Sequence, residues 1–168
     1  MTASNIPKIN ENDEVIGVTT IREAKESGWP RRISRVFIID NEGSILLQKR
    51  SMNMYGYPGL WDQAVGGHVD DKESYIEAAV REMGEELGIY DVPLEELVVS
   101  YCNRNCFEGI YRAVVPKSIK INFDTHEVSE VKWFTIEDFE NQLQTNPEDF
   151  VEPFVAVWHH FRDKLVVE

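Results

Sequence analysis

The sequence predicts an α/β fold in a single domain, and three observations predict it. Its 168 residues suffice for one hydrophobic core and leave little room for a second. β-rich runs bounded by turn residues alternate with amphipathic stretches of helical period. One such stretch, near the middle, has helix start and stop signals at its two ends.

After a polar leader over about residues 1–12, Glu14–Thr20 reads as a short strand. Ile21–Ser27 reads as a helical turn that Gly28-Trp29-Pro30 breaks. Arg32–Asp40 and Ser44–Arg50 are β-rich runs on either side of Asn41-Glu42-Gly43, a hairpin turn. A loop rich in Gly and Pro leads to another strand over Leu60–Val65, which Gly66 and Gly67 end. The central helix starts at the cap-type residues Asp70 and Asp71, with Glu73 adding negative charge to its first turn. Ile76, Ala79, Val80, Met83 and Leu87 form one apolar stripe, and Gly88 closes the helix. Strands follow over 94–103, 109–115 and 130–134. Thr135 caps a further helix, and residues 147–165 end the chain as an amphipathic one.

Seventeen Lys and Arg stand against 30 Asp and Glu, a formal net charge of −13. Such a surface repels phosphate backbones and anionic membranes, so neither a nucleic-acid polymer nor a membrane is expected as partner. A small phosphorylated substrate is still accommodated, because a site can hold a divalent metal or a few local cations. Cys102 and Cys106 are the two cysteines, and they make neither a disulfide framework nor a zinc site. No stretch approaches a membrane span, and the first residues lack the apolar core of a signal peptide. A cytoplasmic location is the expectation.

The central helix also carries chemistry. At about 100° per residue, Glu82, Glu85 and Glu86 fall within about 100° of one face, beside the apolar stripe rather than opposite it. Three carboxylates so close repel one another, which helix stability does not favour. Divalent cations relieve that repulsion, and flexible carboxylate sites suit Mg²⁺ or Mn²⁺. An isolated E-x-x-E-E is more often a solvated acidic face, so the rest of the segment has to decide.

It does so over residues 67–89, "GHVDDKESYIEAAVREMGEELGI". Gly67, Glu73, Arg81-Glu82, the aliphatic Met83, Glu85-Glu86 and Gly88-Ile89 stand in the register of the Nudix box, and the segment resembles the Nudix hydrolases at every defined position. The flanks "PGLWDQAVGGHV" and "EVSEVKWFTIED" resemble the branch related to isopentenyl-diphosphate isomerase, loosely from Glu14 to Phe139. The resemblance implies an α/β/α sandwich around a mixed sheet, with the box helix and its loop as the metal and diphosphate site. It implies Mg²⁺ or Mn²⁺ held by Glu82, Glu85, Glu86 and the Gly67 carbonyl. It also implies Glu82 as the first candidate for the base, and a small-molecule diphosphate substrate. Homodimers are common among such proteins. Arg81 has two candidate partners, a box glutamate or Glu77 four residues earlier. Glu73 is read as a structural helix-start anion or a member of the ion pairing within the box.

Candidates outside the box carry weaker signals. Lys49 and Arg50 end a strand, where they either meet substrate phosphates or are solvated; Trp61 is read as a core aromatic with contact to a base or ring as the alternative; and Glu127 lies in a loop that in the resembling family sometimes adds an acid near the metals. His68 follows the box glycine and is read as structural, with contact to the metal as the alternative; Tyr55 and Tyr57 carry no specific signal, and His159 and His160 are given no role. Three activities compete: hydrolysis of a diphosphate linkage in a nucleoside diphosphate derivative or related compound, isomerisation of isopentenyl diphosphate, and a binding module without catalysis. The isomerases carry a catalytic Cys in the motif that matches "WDQAVGGH", where this chain has Gly66. Their catalytic Glu falls within Cys106–Glu108. Retention of all the box acids disfavours the non-catalytic module.

Overall fold

The computed structural model describes residues 5–166. In chain order the strands are β1 (Asn5–Ile9), β2 (Val15–Thr20), β3 (Arg31–Asp40), β4 (Ile45–Arg50), β5 (Trp61–Gln63), β6 (Val65–His68), β7 (Glu95–Asn103), β8 (Cys106–Val115) and β9 (Val128–Phe134). The helices are α1 (Ile21–Ser27), α2 (Tyr75–Leu87), α3 (Ile136–Thr145) and α4 (Glu152–Leu165), with a 3-10 turn at Pro147–Asp149.

A mixed seven-stranded sheet runs β5-β4-β3-β8-β7, with β6 also on β3 and β9 also on β4. Its spine is the parallel β3–β8 pair, in register from Arg31 opposite Cys106 to Asp40 opposite Val115. Alternation along the strands sends side chains to two cores. Val36, Ile38, Phe107 and Tyr111 pack under α2 with Ala79, Met83 and Leu87. Phe37, Ile39, Leu47 and Ile110 pack under α3 and α4 with Phe139, Phe154 and Trp158. The architecture is therefore the expected α/β/α sandwich.

The hairpin at Asn41–Gly43 forms as read. Asp40 Oδ1 accepts from the amides of Glu42 and Ser44 at 2.9 and 2.8 Å, and Gly43 takes the left-handed φ of 84° that the turn needs. Beyond the turn β3 and β4 pair only at Ile38–Leu46 and Ile39–Ile45, then part. Strand β5 hydrogen-bonds to β4, and β6 to β3. This fork is the feature that builds the site.

Five expectations need correction. The leader at residues 1–12 contains β1, because Ile6 and Ile9 are buried and the strand pairs with β2. Leu60–Val65 is not one strand ended by glycines. β5 stops at Gln63, and Gly66 and Gly67 lie inside β6. Helix α2 starts later than Asp70: Ser74 is the N-cap and closes a capping box with Glu77. Its buried side is Tyr75, Ala78, Ala79, Met83, Gly84, Glu86 and Leu87, whereas Ile76 and Val80 are exposed. The face is rotated because the sheet is wide enough to take Tyr75 and Ala78, and the fork takes Glu86. Finally, α4 begins at Glu152 rather than near Pro147. Val151 stays extended and donates its amide to the Trp61 carbonyl at 2.9 Å.

Candidate active site

The gap between β3 and β4 brings α2 against β6. Gly67 sits opposite Ser34 in β6, and a Cβ built there would lie 2.1 Å from Glu82 Oε1. Only a residue without a side chain lets the Glu82 carboxylate rest on the strand. A cleft of about 820 Å³ runs through the fork. Its lining includes Glu82, Glu85 and Glu86 of α2, Gly66, Gly67 and His68 of β6, Arg50, Asp62 and Glu127.

Arg81 organises the acids. Its Nε and Nη2 donate to the two oxygens of Glu73 at 2.9 and 3.0 Å, and its Nη2 also reaches the His68 carbonyl at 3.0 Å. Nη1 donates to Glu82 Oε1 at 2.9 Å and to Glu85 Oε2 at 3.0 Å. Glu73 in turn accepts from the Asp70 amide at 2.9 Å. Of the two partners open to Arg81, the box glutamates hold it, and Glu77 is occupied by Ser74. Glu73 is likewise a member of the ion pairing within the box.

Glu82 and Glu86 face the inside, and Glu85 stands on the rim with its side chain 62% exposed. Burial raises the Glu82 pKa to about 7 against the pull of Arg81, with the charges of Glu85 and Glu127 adding to the rise. Burial, then the charge of Glu82, holds Glu86 well above the ordinary carboxylate range, although Gln48 Nε2 donates to it at 2.8 Å. Burial and Asp124 raise Glu127 as well. Among the described residues no three acidic, histidine or cysteine side chains already form a coordination shell. Glu82 and Glu85 are turned to Arg81, and Glu86 to Gln48. Oxygen-only donors whose charges one arginine balances only in part fit a hard divalent cation such as Mg²⁺ or Mn²⁺.

One prediction follows from the Glu82 carboxyl. Its folded pKa of about 7 exceeds the ordinary value of 4.5, so the folded state binds more protons between those pH values and loses stability as pH rises through them. In metal-free protein, Glu82→Gln should melt progressively higher than wild type from pH 4.5 to pH 7 and hold a constant lead above. A lead independent of pH in thermal melts would contradict the raised value.

The cleft is also lined by basic side chains, Lys25, Arg31, Arg35 and Arg50. Burial, then Arg31 and Arg50, lowers the Lys25 pKa. Arg31 Nη1 lies 3.1 Å from His68 Nε2. Burial, followed by the charges of Arg31, Lys25 and Arg35, depresses the His68 pKa to about 3, so the ring is neutral and accepts from Arg31. Arg50 bonds the Gly56 carbonyl at 2.8 Å and approaches Asp62 at 3.6 Å. On the cleft floor, Arg35 donates to Gln63 Oε1 and Glu108 Oε1, both at 2.9 Å.

Of the four weaker candidates, the structure brings Arg50 and Glu127 to the cleft and leaves Lys49 and Trp61 out of it. Strand alternation is the reason. Gln48, Arg50 and Asp62 point to the fork, whereas Trp61 packs edge-on against Phe134 in the second core, with Lys49 Nζ 5.6 Å from its ring. Sequence reasoning missed Lys25, Arg31, Arg35, Gln48, Asp62 and Gln63. Of these, Arg35 carried a usable signal, since a charge inside a β-rich run needs a partner or a ligand.

Comparison with known proteins agrees with this geometry. The chain matches the NUDIX domain family over residues 29–154. It is 31% identical over 153 residues to the Nudix hydrolase YfcD of Escherichia coli, covering 89% of this chain and 83% of that one. It is 31% identical over 145 residues to an isopentenyl-diphosphate Delta-isomerase of Photorhabdus laumondii, covering 76% and 75%. A prenyl-diphosphate phosphatase of Methanosarcina mazei is 29% identical over 150 residues, covering 86% and 87%. In fold, the chain is similar to a crystal structure from Deinococcus radiodurans, with a TM-score of 0.74 at 23% identity over 84% of this chain and 90% of that one. With the box acids gathered on Arg81 at the β3–β4 fork and the match extending from Trp29 to Phe154, the chain belongs to the Nudix family, as a Nudix hydrolase.

Proposed function

We propose that this protein uses Mg²⁺ or Mn²⁺ to hydrolyse the diphosphate linkage of a nucleoside diphosphate derivative or related small compound in the cytoplasm. The observation that carries the reading is the Glu82 carboxylate resting on Gly67 in the cleft, largely withdrawn from solvent and raised to about 7 in the metal-free protein. Glu82, Glu85, Glu86 and the Gly67 carbonyl would hold the metal. When bound, a divalent ion neutralises the diphosphate and acidifies the attacking water.

The chain's own residues supply the rest. Arg81 is a positioning residue: it fixes Glu82 and Glu85 from one side and is itself clamped by Glu73 and the His68 carbonyl. Glu82, held in place by Arg81 at the β6 strand, would accept the proton of the attacking water at a carboxylate oxygen. Gln48 orients Glu86. Arg50 and Lys25 line the same cleft as the acids and would balance phosphate charge. The test is a substrate panel with Mg²⁺ and Mn²⁺, including ADP-ribose and prenyl diphosphates, with products identified by mass in ¹⁸O-water. Label should appear in a phosphate product. Label confined to a non-phosphorylated product would place the cleavage at carbon and defeat the reading.

The isomerase relative makes a second reaction worth excluding. Gly66 has no group to protonate a double bond, and the space beside it is filled: a Cβ there would lie 2.5 Å from Gln63 Nε2. Glu108, the matching acid on the other strand, is engaged by Arg35 and Asn103. Isopentenyl diphosphate in D₂O with Mg²⁺ should therefore acquire no enzyme-dependent deuterium. Deuterium in the allylic methyl or in dimethylallyl diphosphate would promote the isomerase instead.

A further inference from the structure

The cleft reaches both faces of the sheet. Ser34 and Gly67 pair on the α2 face, where Glu82 rests. The next pair, Ile33 and His68, turns to the other face by strand alternation, and Arg31 and Cys106 follow on that side. Lys25 of α1 joins them in the cleft lining.

The link between α1 and β3 places the two cations. Gly28 ends α1 in the left-handed region at φ 70°, and the Trp29 amide returns to the Ala24 carbonyl at 2.9 Å. Lys8 Nζ lies 3.3 Å from the Trp29 ring centre and holds the link from outside. From the β7–β8 turn, Asn105 Nδ2 donates to the Gly28 carbonyl at 2.9 Å, and the Asn105 carbonyl takes the Arg31 amide at 3.3 Å. Lys25 and Arg31 are thus set side by side by a reversal fixed at several points.

Other cations around the fork have acids. Arg32 has Asp13 at 2.6 Å, Arg35 has Glu108 at 2.9 Å, and Arg50 has Asp62 at 3.6 Å. Among the described residues no carboxylate stands at ion-pair distance from Lys25 or Arg31, in a chain with 30 acidic residues. Arg31 meets only the His68 ring, which can bring no negative charge, and its Nε is buried with no partner. Burial keeps the Cys106 thiol protonated. Of the neighbouring charges Arg31 acts most strongly on Lys25, and it repels it. Two like charges held together in a concave site leave the pair to be answered by an anion from outside the chain.

We propose that Lys25 and Arg31 form a subsite for a phosphate-type oxyanion, on the sheet face opposite the box acids and independent of metal. Arg31 supplies a fixed, half-buried charge, and the exposed Lys25 closes on the ligand from the rim. The oxyanion is inorganic phosphate or a phosphate on the organic part of a substrate, remote from the bond cleaved. The inference goes beyond the hydrolase reading and does not need it.

Titration of inorganic phosphate followed by ³¹P NMR, with EDTA present, isolates this part of the cleft, because without metal the box acids repel phosphate. Wild type should saturate with a Kd on the order of 1 mM. Lys25→Met with Arg31→Met should weaken binding by at least about tenfold, whereas Glu85→Gln with Glu86→Gln should keep or tighten it. Lys25 is exposed, so Lys25→Met alone tests the site without disturbing the core. It should lose about threefold or more, and Lys25→Arg should restore the wild-type value. No saturation in the wild type, or unchanged binding in the Met variants, overturns the proposal. Calorimetry with Ca²⁺ then identifies the source of the oxyanion. Coenzyme A binding about tenfold more tightly than dephospho-coenzyme A, or NADP⁺ than NAD⁺, in the wild type but not in the double Met variant, assigns it to a substrate. Equal binding within both pairs assigns it to free phosphate. Phosphate binding with no diphosphate cleaved under Mg²⁺ or Mn²⁺ would defeat the hydrolase reading and leave this one standing.

Discussion

A protein carrying both Glu85→Gln and Glu86→Gln is expected to lose about 10²- to 10⁴-fold in hydrolysis, equivalent to several kcal/mol of transition-state charge stabilisation. Metal-free, it should melt above the wild type. The two effects share one cause. Glu86 is 4% exposed and lies beside Glu82, so its charge is costly unless a cation answers it. Gln keeps the size and the helix propensity, and its amide oxygen still accepts from Gln48. Glu85 contributes differently, from the rim, where it shares Arg81 with Glu82. Titration with Mn²⁺ by calorimetry is the check. Unchanged affinity in the double variant would remove both residues from the metal site.

Gly67→Ala is expected to cost nearly as much while adding a single methyl group. The new Cβ would meet Glu82 Oε1 at 2.1 Å and Oε2 at 2.7 Å, so the carboxylate has to leave its seat. A displacement of about 1 Å in a reacting group is worth about 100-fold in rate. Gly67 lies in β6, an extended strand that alanine tolerates, so the fold should persist. Steady-state kinetics with a circular-dichroism control decide the matter: wild-type kcat in a folded Gly67→Ala protein would show that Glu82 need not rest on the strand.

Local signals were legible where a short segment decides the outcome. The Asn41–Gly43 turn, the Gly88 C-cap and the acid spacing of α2 depend only on neighbours in sequence, and all three stand in the structure. The segments that misled are those in which distant parts of the chain choose. "NIPKI" has too few apolar residues to announce a strand, yet the ribbon with β2 buries both isoleucines. Asp70 and Asp71 outrank Ser74 as caps by position, but Asp70 hands its amide to Glu73 and the helix waits for the Ser74–Glu77 box. The basic lining was the least legible part of the site. Lys25, Arg31 and Arg50 come from α1 and from the outer ends of β3 and β4, and no spacing in the sequence records that they meet.

The pairing of Gly66 with Gln63 also bears on how this chain could change over evolutionary time. A Cβ at residue 66 would lie 2.5 Å from Gln63 Nε2, so the Gln63 amide has to shift, and its Oε1 is the group that holds the buried Arg35. A lone Gly66→Cys step is therefore a loss before it is a gain. Shrinking residue 63 first, with Arg35 left leaning on Glu108 alone, opens the path. The order of the two substitutions matters, and a lineage at this sequence is separated from a cysteine-bearing cleft by an epistatic barrier rather than by one codon.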